Sequence, residues 1–396
     1  MALIDKLANL SNLSNIKNLL GGGGLGNSGS SVLGIDIGSS AIKIVQLRKD
    51  KGAAILETYG ELSLGPYADL DIGRATNLDA DKLGEALRDI MKESNVTTKN
   101  CGVSIPFASS LISLLELPAV ENRKLSTMIP IEARKYIPVP ISEVQLDWFV
   151  IPEGETKFLS GEQQAQQTQE RQTQQESEEN HRTLVLLVAI HNEVLRKYNT
   201  VLKSASLVPS FYEIEIFSSI RATLGRGIAP VVILDIGAAR TKLYIVEYGI
   251  VRTSHVINRG SQDITLSLAG GNMPITKAEE LKRELGLFGV NEDGDGQHVA
   301  RASMATIEYI FSEAQRAILA YQRRHNTNIS QVILTGGGAT LKGLLDLAGK
   351  KFDIQVSLGD PFSKVGSPAF LEEVLRQAGP EFAVAPAVGL QSVVAV

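Results

Sequence analysis

The sequence is poor in several features that mark particular classes of protein. Its 396 residues include 1 cysteine, Cys101, and a single thiol cannot form a disulfide within the chain. The longest apolar runs, such as residues 184–190, are far shorter than the ~20 residues that a membrane-spanning helix requires. No signal peptide is recognisable. We therefore expect a cytoplasmic protein without a transmembrane span.

An excess of positive charge is also missing. The chain has 39 Lys and Arg against 44 Asp and Glu, which gives a net charge of −5 at pH 7. Because such a chain has no general attraction for phosphate backbones, we expect no nucleic acid among its main partners. Aromatic residues make up only 5%, whereas 43% are hydrophobic and 36 are glycine, a composition typical of a glycine-rich α/β protein. Its length suits two to three domains.

Two segments differ in composition from the rest of the chain. Leucine and isoleucine recur at spacings of three or four in 2–20, which predicts an amphipathic helix, and the glycines 21–24 predict a flexible tether within an N-terminal segment 1–30. This helix could dock on its own domain, bind a partner or lie on a membrane surface. The segment 153–182 is rich in Gln and Glu and lacks apolar periodicity, which predicts a solvated loop extending a β-hairpin. Elsewhere short β-rich runs alternate with helices, predicted at 81–94, 121–136, 191–205, 210–224, 276–286 and 301–325.

One sequence pattern occurs twice. Residues 33–47 and 233–246 each contain an apolar strand, an Asp-Ile-Gly turn and a second alternating strand, which predicts two equivalent β-hairpins. Such a repeat indicates a duplicated lobe, with the two turns facing each other across a cleft.

The turns have the chemistry of a phosphate site. Gly-Ser-Ser and Gly-Ala-Ala lack bulky side chains, so their backbone N–H groups can surround an anion. Asp36 and Asp235 end their strands and offer hard oxygen ligands to a hydrated Mg²⁺, and Lys43 adds a compact positive charge. A single Asp-x-Gly turn is also a common structural hairpin, but the paired copies favour the phosphate site.

A third segment, residues 332–344, predicts a buried strand, three consecutive glycines and a helix. Glycines at such a turn let the backbone approach a ligand, and the helix N-terminus favours an anion. The spacing matches neither the dinucleotide-binding fingerprint nor the P-loop, and a tight turn without a ligand is the alternative.

These three segments, in this order, resemble the phosphate loops (34–43 and 235–241) and the adenosine-side glycine motif (334–338) of the actin-like ATPase superfamily. Residues 104–118, 129–138 and 143–148 narrow the resemblance to the PilM family, cytoplasmic components of type IV pilus machines. The resemblance covers about 31–396 without the Gln-rich loop. It implies an α/β fold of the actin-like, ribonuclease H-like type, with two duplicated lobes at 31–225 and 226–396. A small α+β subdomain would be inserted at about 104–205.

The resemblance also implies ATP and Mg²⁺ as cofactors. Asp36 and Asp235 would hold Mg²⁺ through water, and Glu215 aligns with a water-orienting residue, with Glu213 as the alternative. Because Glu-Ile-Phe-Ser-Ser at 215–219 departs from the family pattern Glu-Pro-x-Ala, we expect slow or no hydrolysis. The remaining residues would line the phosphates (Gly38, Ser39, Ser40, Lys43, Gly237, Ala238, Ala239, Thr241), pass beneath the sugar and α-phosphate (Gly336, Gly337, Gly338) or flank adenine and ribose (Glu279, Lys282, Arg283). The last three could instead belong to a solvated helix face.

The partners implied are those of PilM proteins. Family members bind the N-terminal cytoplasmic peptide of PilN and connect the motor to the inner-membrane complex, so other inner-membrane and motor proteins of the pilus machine are expected too. The chain would then lie at the inner face of the cytoplasmic membrane through its partners. Residues 104–118 and 129–149 would form the peptide groove, and residues 16–20, which resemble PilN peptides, are a second candidate occupant. A second copy of the chain, in a homo-oligomer, is a further candidate partner. The alternatives to this scaffold function are a phosphotransferase and a polymerising actin-like ATPase of the same superfamily.

Overall fold

The computed structural model describes residues 31–118, 122–151, 182–225, 229–269, 273–288 and 294–394. The predicted N-terminal helix and tether, and nearly all of the Gln/Glu-rich loop, lie outside these residues. Within the described ranges we find no helix with the length and apolar character needed to cross a bilayer.

The strands in the described ranges form three separate sheets. In chain order they are β1 (Ser31–Ile37), β2 (Ala41–Asp50), β3 (Ala53–Ser63), β4 (Asn100–Ile105), β5 (Ser110–Pro118), β6 (Val144–Val150), β7 (Arg182–His191), β8 (Val208–Ile214), β9 (Val231–Ile236), β10 (Thr241–Glu247), β11 (Ile250–Ile257), β12 (Gln331–Thr335) and β13 (Gln355–Leu358).

Helices cover the sheets. They are α1 (Ala80–Glu93), α2 (Asn122–Ala133), α3 (Asn192–Ser204), α4 (Glu215–Thr223), α5 (Ser261–Leu268), α6 (Ile275–Leu285), α7 (Asp295–His325), α8 (Leu344–Phe352), α9 (Glu372–Ala378) and α10 (Ala385–Val394). The predicted helix 210–224 is wrong in its first part, because Val208–Ile214 is strand β8, which pairs in parallel with β4. A short apolar run fits a buried strand as well as a helix, so periodicity does not separate the two.

The two large sheets repeat one topology. The first has the strand order β3-β2-β1-β4-β8 and the second has β11-β10-β9-β12-β13. Each begins with an antiparallel meander and continues with parallel strands. Even the second turn of each meander repeats: Lys51 and Gly52 have φ values of 48° and 86°, and Tyr248 and Gly249 have 53° and 76°, as a two-residue hairpin of the primed type requires. The predicted duplication is confirmed, and the chain has the actin-like fold.

The third sheet, with the order β5-β7-β6, is a smaller unit. Leu125, Ile129 and Ala133 of α2 pack against its apolar face, where Leu115 and Val185 are buried. Strands β6 and β7 are antiparallel neighbours, as predicted for the segments on either side of the Gln/Glu-rich loop.

Two helices pack against parts of the fold other than those that the predicted domain boundaries imply. Helix α10 lies on the first sheet, where Leu390 and Val393 share a core with Val45 and Leu47, although the chain order suggested that all of 226–396 forms the second lobe. Helix α3 packs against α1 of the first lobe, and its buried side chains share a core with both α1 and strand β7. Chain order alone does not reveal which sheet a helix covers, because the apolar face fits either one.

Candidate functional site

The two Asp-Ile-Gly turns and the glycine turn meet at one cavity between the large sheets. Its volume is about 830 Å³, within the range of small-molecule sites. The structure brings together at this cavity nearly all of the predicted site residues: Asp36, Gly38, Ser39, Ser40, Lys43, Glu215, Asp235, Gly237, Ala238, Ala239, Glu279, Lys282, Arg283, Gly336, Gly337 and Gly338.

Thr241 is the exception among the predicted residues. Its side chain is fully buried, and its hydroxyl donates a hydrogen bond to the Arg259 carbonyl over 2.9 Å. Its neighbour Arg240 lines the cavity instead. Thr241 therefore supports the hairpin from behind. The alternative catalytic residue Glu213 also lies away from the cavity, buried in an ion pair with Arg221.

Both hairpin turns are held by hydrogen bonds from neighbouring segments. The amides of Gly38 and Gly237 close the turns by donating to the carbonyls of Ala41 and Arg240, over 2.9 and 3.0 Å. The Ser39 carbonyl accepts from the amide of Thr76 at 2.7 Å. In the second turn the carbonyls of Gly237 and Ala238 accept from the amides of residues 261 and 262, at the start of α5. Because the amides of Gly38 and Gly237 are used inside the turns, the amides that follow each glycine are the candidate donors to an anion.

The glycine turn packs directly on the second hairpin. Gly336 has φ of +83°, and a Cβ built there would lie 2.4 Å from Asp235 Oδ1. A Cβ on Gly338 would lie 2.3 Å from the Ile236 side chain. Two of the three glycines are thus needed for the close approach of β12 and the turn after β9, whatever ligand the cavity takes.

The first-lobe carboxylate, Asp36, is buried beside two polar partners. Its Oδ1 accepts a hydrogen bond from the Ser104 hydroxyl over 2.7 Å. Burial raises the pKa of Asp36 above its ordinary value, although the Ser104 hydrogen bond and Lys43 oppose the rise. Burial would lower the pKa of Lys43, but Glu61, which lies 3.3 Å away, Glu381 and Asp36 together raise it. Lys43 is therefore a charged ammonium in the cavity wall.

The second-lobe carboxylate, Asp235, is joined to Glu215 by a lysine that the sequence reasoning missed. Lys242 Nζ lies 3.1 Å from Asp235 Oδ2 and 2.8 Å from Glu215 Oε2. The other Glu215 oxygen accepts from the Phe107 amide at 2.7 Å. Lys242 follows Asp235 at the same offset at which Lys43 follows Asp36, so the repeated pattern contained the signal that could have identified it.

Helix α6 contributes a buried charged cluster. Glu279 and Lys282 are each 6% exposed and lie 2.6 Å apart, and Arg283 Nε lies 2.8 Å from Glu279. Burial raises the pKa of Glu279, but Lys282 and the hydrogen bonds from Lys282, Thr265 and Arg283 outweigh it and hold this pKa below its ordinary value. The alternative of a solvated helix face is wrong for Glu279 and Lys282.

The lobes also contact each other at two further places. The amide of Ala75 donates to Gln262 Oε1 over 3.1 Å. The rings of Phe107 and Tyr244 contact edge to face with centroids 5.5 Å apart. These contacts join the first lobe to the second near the turns.

Mg²⁺ fits this site better as a hydrated ion than as a directly bound one. Among the described residues, no three His, Cys, Asp or Glu side chains are grouped to hold a metal. Asp36 and Asp235 each already accept from one protein donor, Ser104 and Lys242 respectively. Mg²⁺ keeps several waters in most protein sites, so contact through water suits these carboxylates.

Comparisons with known proteins agree with this architecture. The family model described as type IV pilus assembly protein PilM matches residues 34–162, and that of the cell division protein FtsA matches 232–385. A solved PilM-PilN type IV pilus biogenesis complex superposes with a TM-score of 0.72 at 22% identity, covering 91% of this chain and 98% of that chain. The ethanolamine utilization protein EutJ from Carboxydothermus hydrogenoformans superposes with a TM-score of 0.51 at 14% identity, covering 97% of this chain and 99% of that chain. The resemblance to PilM predicted from the sequence is confirmed.

Proposed function

We propose that this chain is an actin-like, ATP-binding protein of the type IV pilus assembly machinery. The match of residues 34–162 to the PilM family model carries the proposal, because it spans the first phosphate hairpin and strands β5 and β6 of the small sheet. The same two regions are those that the sequence assigned to nucleotide and partner binding.

ATP is the ligand that the cavity's chemistry favours. The triphosphate would lie between the two hairpin turns, where glycine-rich backbone and Lys43 complement negative charge. The buried Glu279 and Lys282 would face the ribose, with the glycine turn beneath it. When bound, Mg²⁺ would neutralise part of the phosphate charge, and Asp36 and Asp235 would hold it through water. Glu215 is held by the Phe107 amide on one oxygen and by Lys242 on the other, and residues 215–219 depart from the family pattern Glu-Pro-x-Ala, so we propose slow or no hydrolysis.

Titration calorimetry with ATP and excess Mg²⁺ tests the nucleotide site. We expect Lys43→Met to weaken ATP binding by about tenfold or more, because it removes a charge-assisted contact to phosphate. Asp36→Ala is expected to have a smaller effect, confined to titrations that contain Mg²⁺, because Asp36 would act through the hydrated ion. Lys51→Met, in an exposed turn, serves as the control. Wild-type affinity in both site variants would contradict the assignment.

We further propose that the small sheet and α2 bind the N-terminal cytoplasmic peptide of a PilN protein. Through that partner and other pilus components the chain would connect the cytoplasmic motor to the inner-membrane complex. The apolar side chains Ile131 and Tyr136, which are 58% and 47% exposed beside the small sheet, support a peptide-binding surface there.

Peptide titration tests this surface. We expect Ile131→Asp to weaken binding of a PilN N-terminal peptide by about tenfold or more, because an anchor contact is replaced by a charge. Val374→Asp, at a residue of α9 that is 50% exposed, is the matched control and should retain the wild-type affinity. If the wild-type protein fails to bind the peptide, or if both variants behave alike, the surface is misassigned.

A further inference from the structure

Lys242 occupies a position in the cleft that no predicted role explains. It lies on β10 directly opposite Asp235 of β9, and its ammonium contacts both Asp235 and Glu215. Asp235 belongs to the second lobe and Glu215 begins α4 of the first, so a single cation joins carboxylates from both lobes. The Lys242 side chain is 20% exposed, against 9% for Glu215 and 12% for Asp235.

The equivalent lysine of the first lobe behaves differently. Lys43 lies opposite Asp36 in the same register, but its ammonium contacts Glu61 on the adjacent strand β3 of its own lobe. The duplicated hairpins therefore place one lysine within a lobe and the other across the cleft.

Among the described residues, the ion pairs of Asp235 and Glu215 are both formed with Lys242. Lys43 is engaged by Glu61, and Lys282 and Arg283 are both engaged by Glu279. The Lys242 ammonium lies between two carboxylate oxygens, 2.8 Å from Glu215 and 3.1 Å from Asp235. Removing one partner from such a buried group leaves the other charges uncompensated, which is unfavourable.

We propose that Lys242 is a resident counter-cation that supplies, at Asp235 and Glu215, part of the charge neutralisation otherwise given by Mg²⁺. It is a positioning residue. Because Lys242 supplies this charge, the affinity of the cleft for ATP depends only weakly on Mg²⁺. Lys242 also holds Glu215 in place, together with the Phe107 amide. This inference rests on the proposed ATP site.

The experiment compares ATP titrations in excess Mg²⁺ and in excess EDTA. For the wild type we expect the affinity to fall by less than about threefold in EDTA. For Lys242→Met we expect a fall of about thirtyfold or more, since the cation must then come from solution. Lys242→Arg keeps the charge and should resemble the wild type. Lys364→Met is the matched control: Lys364 donates to the carbonyls of Arg221 and Leu224 outside the cavity, so its loss should leave the Mg²⁺ dependence unchanged.

A second measurement needs no nucleotide. Mg²⁺ alone is expected to raise the melting temperature of Lys242→Met, whose Asp235 and Glu215 lack their cation, and to leave that of the wild type unchanged. The inference is overturned if ATP binding to the wild type depends on Mg²⁺ as strongly as binding to Lys242→Met, or if Mg²⁺ stabilises both proteins equally. If neither protein binds ATP, the proposed function fails, and the melting experiment still decides the role of Lys242.

Discussion

Replacing Gly336 with alanine is expected to reduce ATP affinity about a hundredfold, because residues at the second phosphate turn would be displaced. The new Cβ would lie 2.4 Å from Asp235 Oδ1 and 2.5 Å from the Ile236 carbonyl oxygen. The Ile236 oxygen is a backbone atom, the Asp235 carboxylate is held by Lys242 through its other oxygen, and the φ of +83° is itself unfavourable for alanine. We expect a loss of stability on the order of 3 kcal/mol from strain and overpacking together.

The neighbouring glycine provides the comparison for stability. The three atoms nearest to a Cβ on Gly337 all belong to the Glu381 side chain, the first at 3.4 Å, so Gly337→Ala should have a urea unfolding midpoint near that of the wild type. For ATP binding the control is Gly349→Ala, in α8, where a Cβ meets nothing within 4 Å. Equal midpoints for the alanine variants of Gly336 and Gly337 would show that the contact with Asp235 is not restrictive.

Gly34→Ala is expected to destabilise the whole first lobe, by about 3 kcal/mol or more. Gly34 lies in β1, where α10 crosses the sheet. A Cβ there would lie 2.1 Å from the Ala385 carbonyl oxygen and 2.8 Å from the Gly389 amide nitrogen. Because both contacts are backbone atoms, relief requires α10 to move away from the core that it shares with Val45 and Leu47.

The other side of the same contact tests this explanation. A Cβ on Gly389 meets the end of the Leu47 side chain at 3.0 Å, a contact that a shift of a few tenths of an ångström relieves. We expect Gly389→Ala to change stability by no more than about 1 kcal/mol, since the better helix propensity of alanine offsets the crowding. Urea unfolding of both variants measures the difference. If Gly34→Ala and Gly389→Ala both changed the free energy of unfolding by a similar, small amount, α10 would not be packed tightly on β1.

The repeated hairpin could be predicted from the sequence because it depends on local residue patterns. Alternating apolar residues define the strands, and the Asp-Ile-Gly turns fix where each strand ends. The strand and glycine turn that end at Gly338 could be predicted for the same reason. Since equivalent strands of two duplicated lobes end at equivalent places, the convergence of Asp36 and Asp235 on one cavity followed from the repeat itself.

The hydrogen-bond and ion-pair partners of the side chains could not be predicted, because they depend on segments far apart in the chain. Thr241 and its neighbour Arg240 are adjacent in sequence, and only the packing against Arg259 decides which of them lines the cavity. The charged residues of α6 allowed two interpretations, a ligand-flanking cluster or a solvated helix face, and burial against α5 excludes the solvated face for Glu279 and Lys282.

The sequence by itself determined the duplicated hairpins, the three glycine-rich turns and the resemblance to actin-like proteins, since these depend on local periodicity and backbone conformation. Only the tertiary structure decided that α10 returns to the first sheet and that Lys242 reaches across the cleft while Lys43 does not. The physical reason is that burial and ion pairing depend on which distant surfaces meet, and the same local pattern is compatible with several of them.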